Sequence, residues 1–258
     1  HDMIRVVEAL DQVDLVTRLI PEWAPNRHRP QRNAYHRFTV DRHLLEAAAV
    51  AARLVDRVER PDLLVLGGLL HDIGKGYPGD HSEVGVGLVH TIAERMGYPP
   101  TDIEILEALV RHHLLLPDVA SRRDLEDEGT VKLVADAVPS TGTIELLAAL
   151  TEADSIATSK SGWNSRKAGL VNDLAQRTVR YLQGHTDLES DEFPTPELLA
   201  LAATGETHVS IVGQIVTVVA PDRPGVFSRV AGALALHGIE IVDANLGTAD
   251  GMAIDQIR

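Results

Sequence analysis

The sequence predicts a mostly α chain, with a large all-α domain followed by a small α+β module. Two observations carry this. Through the first 200 residues Leu, Ala and Val recur at the spacing of helices buried on one face, while aromatic residues make up only 3%. After residue 208 the pattern changes to a Val/Ile-rich run, a Pro-Gly turn and a short amphipathic helix, which reads as a β-turn-α unit. The length agrees, since 258 residues can build one medium and one small domain, each with its own core.

Helices are expected over 2–20, 41–59, 62–73, 82–96, 102–115, 130–138, 142–158 and 164–183, divided at Pro61, Gly74, Gly97, Pro117, Pro139 and Gly162. Thr101, with Glu104 three residues later and an apolar run beyond, reads as a capping box. From 184 to 208 the chain turns polar, with Pro194, Pro196 and Gly205, and reads as a linker holding at most a brief helix. A strand over 209–219, a turn over 220–225, a helix over 226–237 ended by Gly238, and strands over 239–244 and 252–257 follow. The expected organisation is an N-terminal helical segment (1–35), a helical domain (36–183), a linker (184–208) and the α+β module (209–258).

Composition narrows function. Hydrophobic residues at 44% and charged residues at 24% are those of a globular chain. A net charge of −14 argues against nucleic-acid binding, which needs a basic face to neutralise phosphates. A phosphate-bearing substrate would need local positive charge from cations or a few basic side chains. No apolar run approaches the roughly 18 residues of a spanning helix and no signal pattern opens the chain, so neither a membrane partner nor export is expected, and the expected location is cytoplasmic. With no cysteine, any metal must sit on His, Asp and Glu.

Seven of the twelve histidines (His36, His43, His71, His81, His90, His112 and His113) lie between residues 36 and 113. His71-Asp72 ends the apolar stretch 63–70 and is followed by Ile73-Gly74-Lys75-Gly76. Burying an imidazole and a carboxylate there is costly unless each finds a partner, either in a satisfied ion pair or in a shared divalent cation. His43 lies on the stripe of Ala47 and Val50, Asp154 on that of Leu147 and Leu150, and His113 on that of Leu106, Leu109 and Val110, so all three should point inward. Several inward His and Asp residues in one helical domain favour the metal. His81 reaches the same place only if the loop at Gly79-Asp80 folds over it.

These residues resemble the HD phosphohydrolase superfamily, whose pattern of a His, then His-Asp, then a distant Asp is matched by His43, His71-Asp72 and Asp154. The stretches 35–43, 71–76, 79–82 and Trp163-Asn164-Ser165 resemble more closely the family of bacterial PII uridylyltransferase/uridylyl-removing enzymes. The run after residue 208, with Asp222-Arg223-Pro224-Gly225-Val226, resembles the opening of an ACT domain, which follows the HD domain in that family. The resemblance implies an HD-type all-α domain over 36–183 and a partial, ferredoxin-like ACT domain over 209–258. Nothing before residue 36 resembles the family's nucleotidyltransferase motif, and the last ACT helix and strand have no counterpart, so a fragment of a bifunctional enzyme is expected.

The resemblance implies that His43, His71, Asp72 and Asp154 hold one divalent cation, that His81 and His113 offer ligands for a second, and that Asp72 bridges the two. Mn or Mg is expected, with Fe or Zn as alternatives. Such cations lower the pKa of bound water towards neutrality and offset charge on phosphodiester oxygens. Asp72 and Lys75 are the expected catalytic residues, with Lys75 contacting a phosphate oxygen or the leaving group. The implied reaction removes a nucleotidyl group, UMP or AMP, from a tyrosine of the PII signal protein. Regulation by glutamine would act through the ACT turn at Asp222, Arg223 and Gly225, and the ACT module offers a route to an oligomer. His36 is a substrate-contact candidate and His90 a helix-surface residue. The alternatives are a guanosine tetraphosphate or other nucleotide phosphohydrolase and a non-catalytic HD regulatory module.

Overall fold

Leu63, Leu64, Leu66, Gly67, Gly68 and Leu70 are all buried, so the helix that carries them is apolar on every side and can only sit at the centre of a bundle. The computed structural model describes residues 2–31, 37–159, 161–185, 193–241 and 244–258. Helices α1 (Asp2–Gln12), α2 (Leu15–Leu19), α3 (Val40–Ala51), α4 (Pro61–Leu70), α5 (His81–Met96), α6 (Pro100–His112), α7 (Leu115–Arg122), α8 (Glu128–Ala137), α9 (Thr141–Thr158) and α10 (Ser165–Leu182) come first. They are followed by α11 (Pro196–Ala202), β1 (His208–Val212), β2 (Ile215–Pro221), α12 (Val226–Leu236), β3 (Ala244–Ala249) and β4 (Met252–Ile257). The chain divides into two compact units, His1–Leu188 and Glu189–Arg258.

In the first unit α4 packs against α3, α6 and α9. Two glycines allow the close approach. A Cβ on Gly68 would lie 3.1 Å from Ala48 Cα on α3, and one on Gly67 3.0 Å from Leu109 Cδ1 on α6. Leu44, Leu63, Leu106 and Leu147 fill the space between them, each fully buried and each contributing about 1.5–3 kcal/mol by leaving water. Among the described residues no single helix is long and apolar enough to cross a membrane.

Several boundaries differ from expectation for local reasons. The helix expected over 2–20 breaks at Asp14, which takes φ 58°, a conformation that Asp tolerates better than most residues. Pro117 was expected to end a helix, yet it lies in the first turn of α7, where its missing N–H costs no hydrogen bond. The capping box at Thr101 and Glu104 is not formed. Pro99 is the N-cap, without a side-chain cap bond, and Pro100 opens α6, so Thr101 already lies inside the first turn.

In the second unit four antiparallel strands run in the order β1-β2-β4-β3. The single strand expected over 209–219 is a hairpin, because Gly213, at φ 60°, turns the chain and pairs Val212 with Ile215. The strand expected over 239–244 comes later, at β3, where the Asp250-Gly251 turn sets its register by pairing Ala249 with Met252; Val242 and Asp243 lie outside the described residues. Helix α11, within the stretch read as a linker, places Leu198 and Ala202 on Val219, Met252 and Ile254 of the sheet.

Candidate metal centre

His71 and His113 occupy equivalent positions. Each is the C-cap of a helix, the apolar α4 and the amphipathic α6 respectively, and each turns its Nδ1 back to the carbonyl three residues earlier. His71 Nδ1 lies 3.0 Å from Gly68 O and His113 Nδ1 2.7 Å from Val110 O. A carbonyl only accepts, so Nδ1 carries the proton and donates, and a neutral ring then presents the lone pair of Nε2. His43 projects from the inward face of α3, and Asp154 from α9. His81 opens α5 behind the N-cap Asp80, whose carboxylate accepts from the backbone N–H groups of Ser82 and Glu83. Loop 73–76 packs directly on this helix start: a Cβ on Gly74 would fall on the carbonyl of His81.

These elements bring all six expected ligands together in two groups, His43, His71 and Asp154 in one, and Asp72, His81 and His113 in the other; within each group the candidate ligand atoms lie within 4.8 Å of one another. In the first, His43 Nε2 is 3.3 Å from His71 Nε2 and 3.1 Å from Asp154 Oδ1, and His71 Nε2 is 3.5 Å from Asp154 Oδ1. Asp72 stands between the groups. Its Oδ2 lies 3.6 and 3.4 Å from His43 and His71 Nε2, and its Oδ1 lies 3.6 and 3.5 Å from His81 and His113 Nε2. Asp72 Oδ1 is buried without a hydrogen-bond partner. An orphaned carboxylate oxygen facing two imidazoles, in a site of nitrogen and oxygen donors only, fits a divalent cation.

Electrostatics agree with that donor set. Burial pushes the Asp72 and Asp154 carboxyls up, but neighbouring histidines, and Lys75 at Asp72, override it and hold both well below the usual carboxylate range. Burial disfavours charge on His71, yet Asp72 and Asp154 outweigh it and raise it to about 10. His113 goes the other way, lowered chiefly by burial. Lys75 Nζ lies 2.5 Å from Asp72 Oδ2 and donates to Gln31 Oε1 at 3.0 Å.

The centre forms part of the wall of a cavity of about 1310 Å³, to which Asp72, His81, His113 and Asp154 contribute together with Arg29, Lys75, Arg166 and Lys167. Local positive charge is therefore present despite the chain's overall −14. Sequence reasoning missed Gln31, Ser155 and Lys167. Only Lys167 had a signal, three residues after the helix-capping Asn164, which accepts its N–H at 2.9 Å. His90 is exposed on α5 and bonded to Glu107 at 2.6 Å, and His112 is half-buried outside both groups. His36 lies outside the described residues. In the second unit Asp222, Arg223 and Gly225 form an exposed turn. There the Asp222 N–H donates to Gly251 O at 2.9 Å and Gly225, at φ 82°, caps α12.

Residues 40–157 match the family model of the HD domain and residues 214–255 that of the ACT domain. The chain thus carries an HD domain followed by an ACT domain, consistent with its helical bundle with a His/Asp cluster and its small antiparallel sheet. It is similar to bifunctional uridylyltransferase/uridylyl-removing enzymes of several bacteria. With that of Mycobacterium tuberculosis it is 44% identical over 259 residues, covering 98% of this chain and 32% of the relative. With that of Streptomyces coelicolor it is 41% identical over 288 residues, covering 94% and 34%. With that of Gluconobacter oxydans it is 33% identical over 313 residues, covering 95% and 33%. The chain spans about a third of the length of these curated relatives.

Proposed function

We propose that this chain is a metal-dependent phosphodiesterase that removes a nucleotidyl group from a tyrosine of the PII nitrogen-signalling protein. The observation that carries the reading is Asp72, whose two oxygens face two separate groups of donors in the wall of a large cavity. His43, His71, Asp154 and Asp72 Oδ2 would hold one cation, Mn or Mg, and His81, His113 and Asp72 Oδ1 a second. Such cations lower the pKa of water and offset charge on phosphoryl oxygens.

The chain's own groups do the rest. The carbonyls of Gly68 and Val110 fix the His71 and His113 rings. His71 and then Lys75 keep Asp72 ionised, and the Lys75 ammonium reaches the cavity, where it can meet the departing tyrosyl oxygen. In the reaction the oxygen of water bonds to phosphorus, the bond from phosphorus to the tyrosyl oxygen breaks, and tyrosine leaves as a phenol. The reference pKa of that phenol, about 10, makes it a better leaving group than an alcohol. The similarity to uridylyl-removing enzymes favours UMP as the group removed. The ACT domain suggests control by a free amino acid at the turn formed by Asp222, Arg223 and Gly225, and the family resemblance suggests glutamine.

The test is nucleotide release from uridylylated and adenylylated PII with Mn, with and without glutamine, by the chain and its Asp72→Ala variant. UMP release lost in the variant and changed by glutamine is expected. Release of AMP alone would reassign the nucleotide, and release that persists in Asp72→Ala would contradict the site.

A further inference from the structure

Two lysines line the cavity, each beside a carboxylate of the metal centre, and their surroundings differ. The charge of Lys75 is compensated by Asp72 at 2.5 Å. Lys167 Nζ, part-buried, donates to Ser155 Oγ at 2.9 Å, a neutral acceptor one residue along α9 from Asp154. Among the described residues no carboxylate lies within ion-pair distance of Lys167 or of its neighbour Arg166. A hydroxyl compensates no charge and Asp154 acts on Lys167 only from beyond ion-pair distance, so an anion can be accepted here without breaking an ion pair.

The local sequence builds this placement. Gly162 lets the loop before α10 close onto α9, since a Cβ there would fall on the carbonyl of Ser155. Trp163 packs against the core of the bundle, and Asn164 caps α10 by accepting the Lys167 N–H. Residues 162–164 thus bring Arg166, Lys167 and the positive end of an 18-residue helix to the cavity wall.

We propose that Lys167, supported by Arg166, forms an anion subsite that binds the phosphoryl oxygens of a nucleoside monophosphate group next to the metal centre. The inference rests on the phosphodiesterase reading for its ligand class, but its test does not require turnover of PII.

UMP and inorganic phosphate are titrated calorimetrically into the Mn-loaded 258-residue chain and into its Lys167→Ala, Lys167→Gln and Lys167→Arg variants. Loss of one charge-assisted hydrogen bond should weaken UMP binding about ten-fold or more in the Ala and Gln variants, while Arg retains most of the affinity. Gln keeps a donor for Ser155 and separates loss of charge from loss of packing. Equal affinity in wild type and Lys167→Gln, an Arg variant as weak as Ala, or a wild type that binds neither ligand would overturn the subsite. If binding follows the expected order and PII is not a substrate, the subsite stands and the assigned substrate fails.

Discussion

At the scale of single residues the decisive feature is competition between protons and metal for the same atoms. Asp72 and Asp154 outweigh burial and raise His71 from 6.5 to about 10, which favours its protonated form at neutral pH. A raised folded-state value means that this contribution to stability is complete below about 6.5 and fades as pH rises towards 10. A cation can use His71 Nε2 only by displacing that proton. We predict that Mn binding at pH 7–8 releases at least one proton per chain, seen as a binding enthalpy that depends on the buffer's ionisation heat, and that affinity increases with pH. A buffer-independent enthalpy would mean that His71 is not a ligand.

At the scale of elements, helix ends and close glycine contacts make the centre. The C-caps of α4 and α6 present two histidines in the same way, and Gly74 sets loop 73–76 against His81. Gly74→Ala should therefore cost about 1–3 kcal/mol through backbone displacement, read as a lower urea midpoint, and should weaken Mn binding through His81. Unchanged stability would show that the loop has room to move.

This is also where the sequence was legible and where it was not. The inward direction of His43, His113 and Asp154 follows from their place on apolar stripes, and His71-Asp72 stands out as a polar pair ending an apolar run. The His81 contact depends on a tertiary approach between loop and helix that no periodicity reports. The hairpin at Gly213 was hidden because β-branched residues continue on both sides of the turn. Pro117 misled because proline suits the first turn of a helix as well as a break.

At the scale of the molecule, the chain divides into two compact units, and all six expected ligands lie in the first. Metal binding to the folded first unit alone should raise its stability by about 2.7 kcal/mol at a hundred times Kd, or about 5–10 °C in Tm. Calorimetry with Mn and then EDTA should move one transition up and back while the transition of the ACT unit stays in place. A shift in both would show that the units unfold together. The change of hydropathy period near residue 208 coincides with the start of β1, while the second unit begins earlier, at Glu189; the packing of α11 onto the sheet was not legible because its Leu-Ala stretch is too short to declare a partner.

In the proposed centre one carboxylate, Asp72, serves two metal groups. Titration of the chain with Mn, followed by electron paramagnetic resonance, tests it directly. Two equivalents bound with a spin-coupled signal, reduced to uncoupled Mn in Asp72→Ala, is the predicted result. A single uncoupled Mn in the wild type, or coupling that survives the substitution, would contradict it.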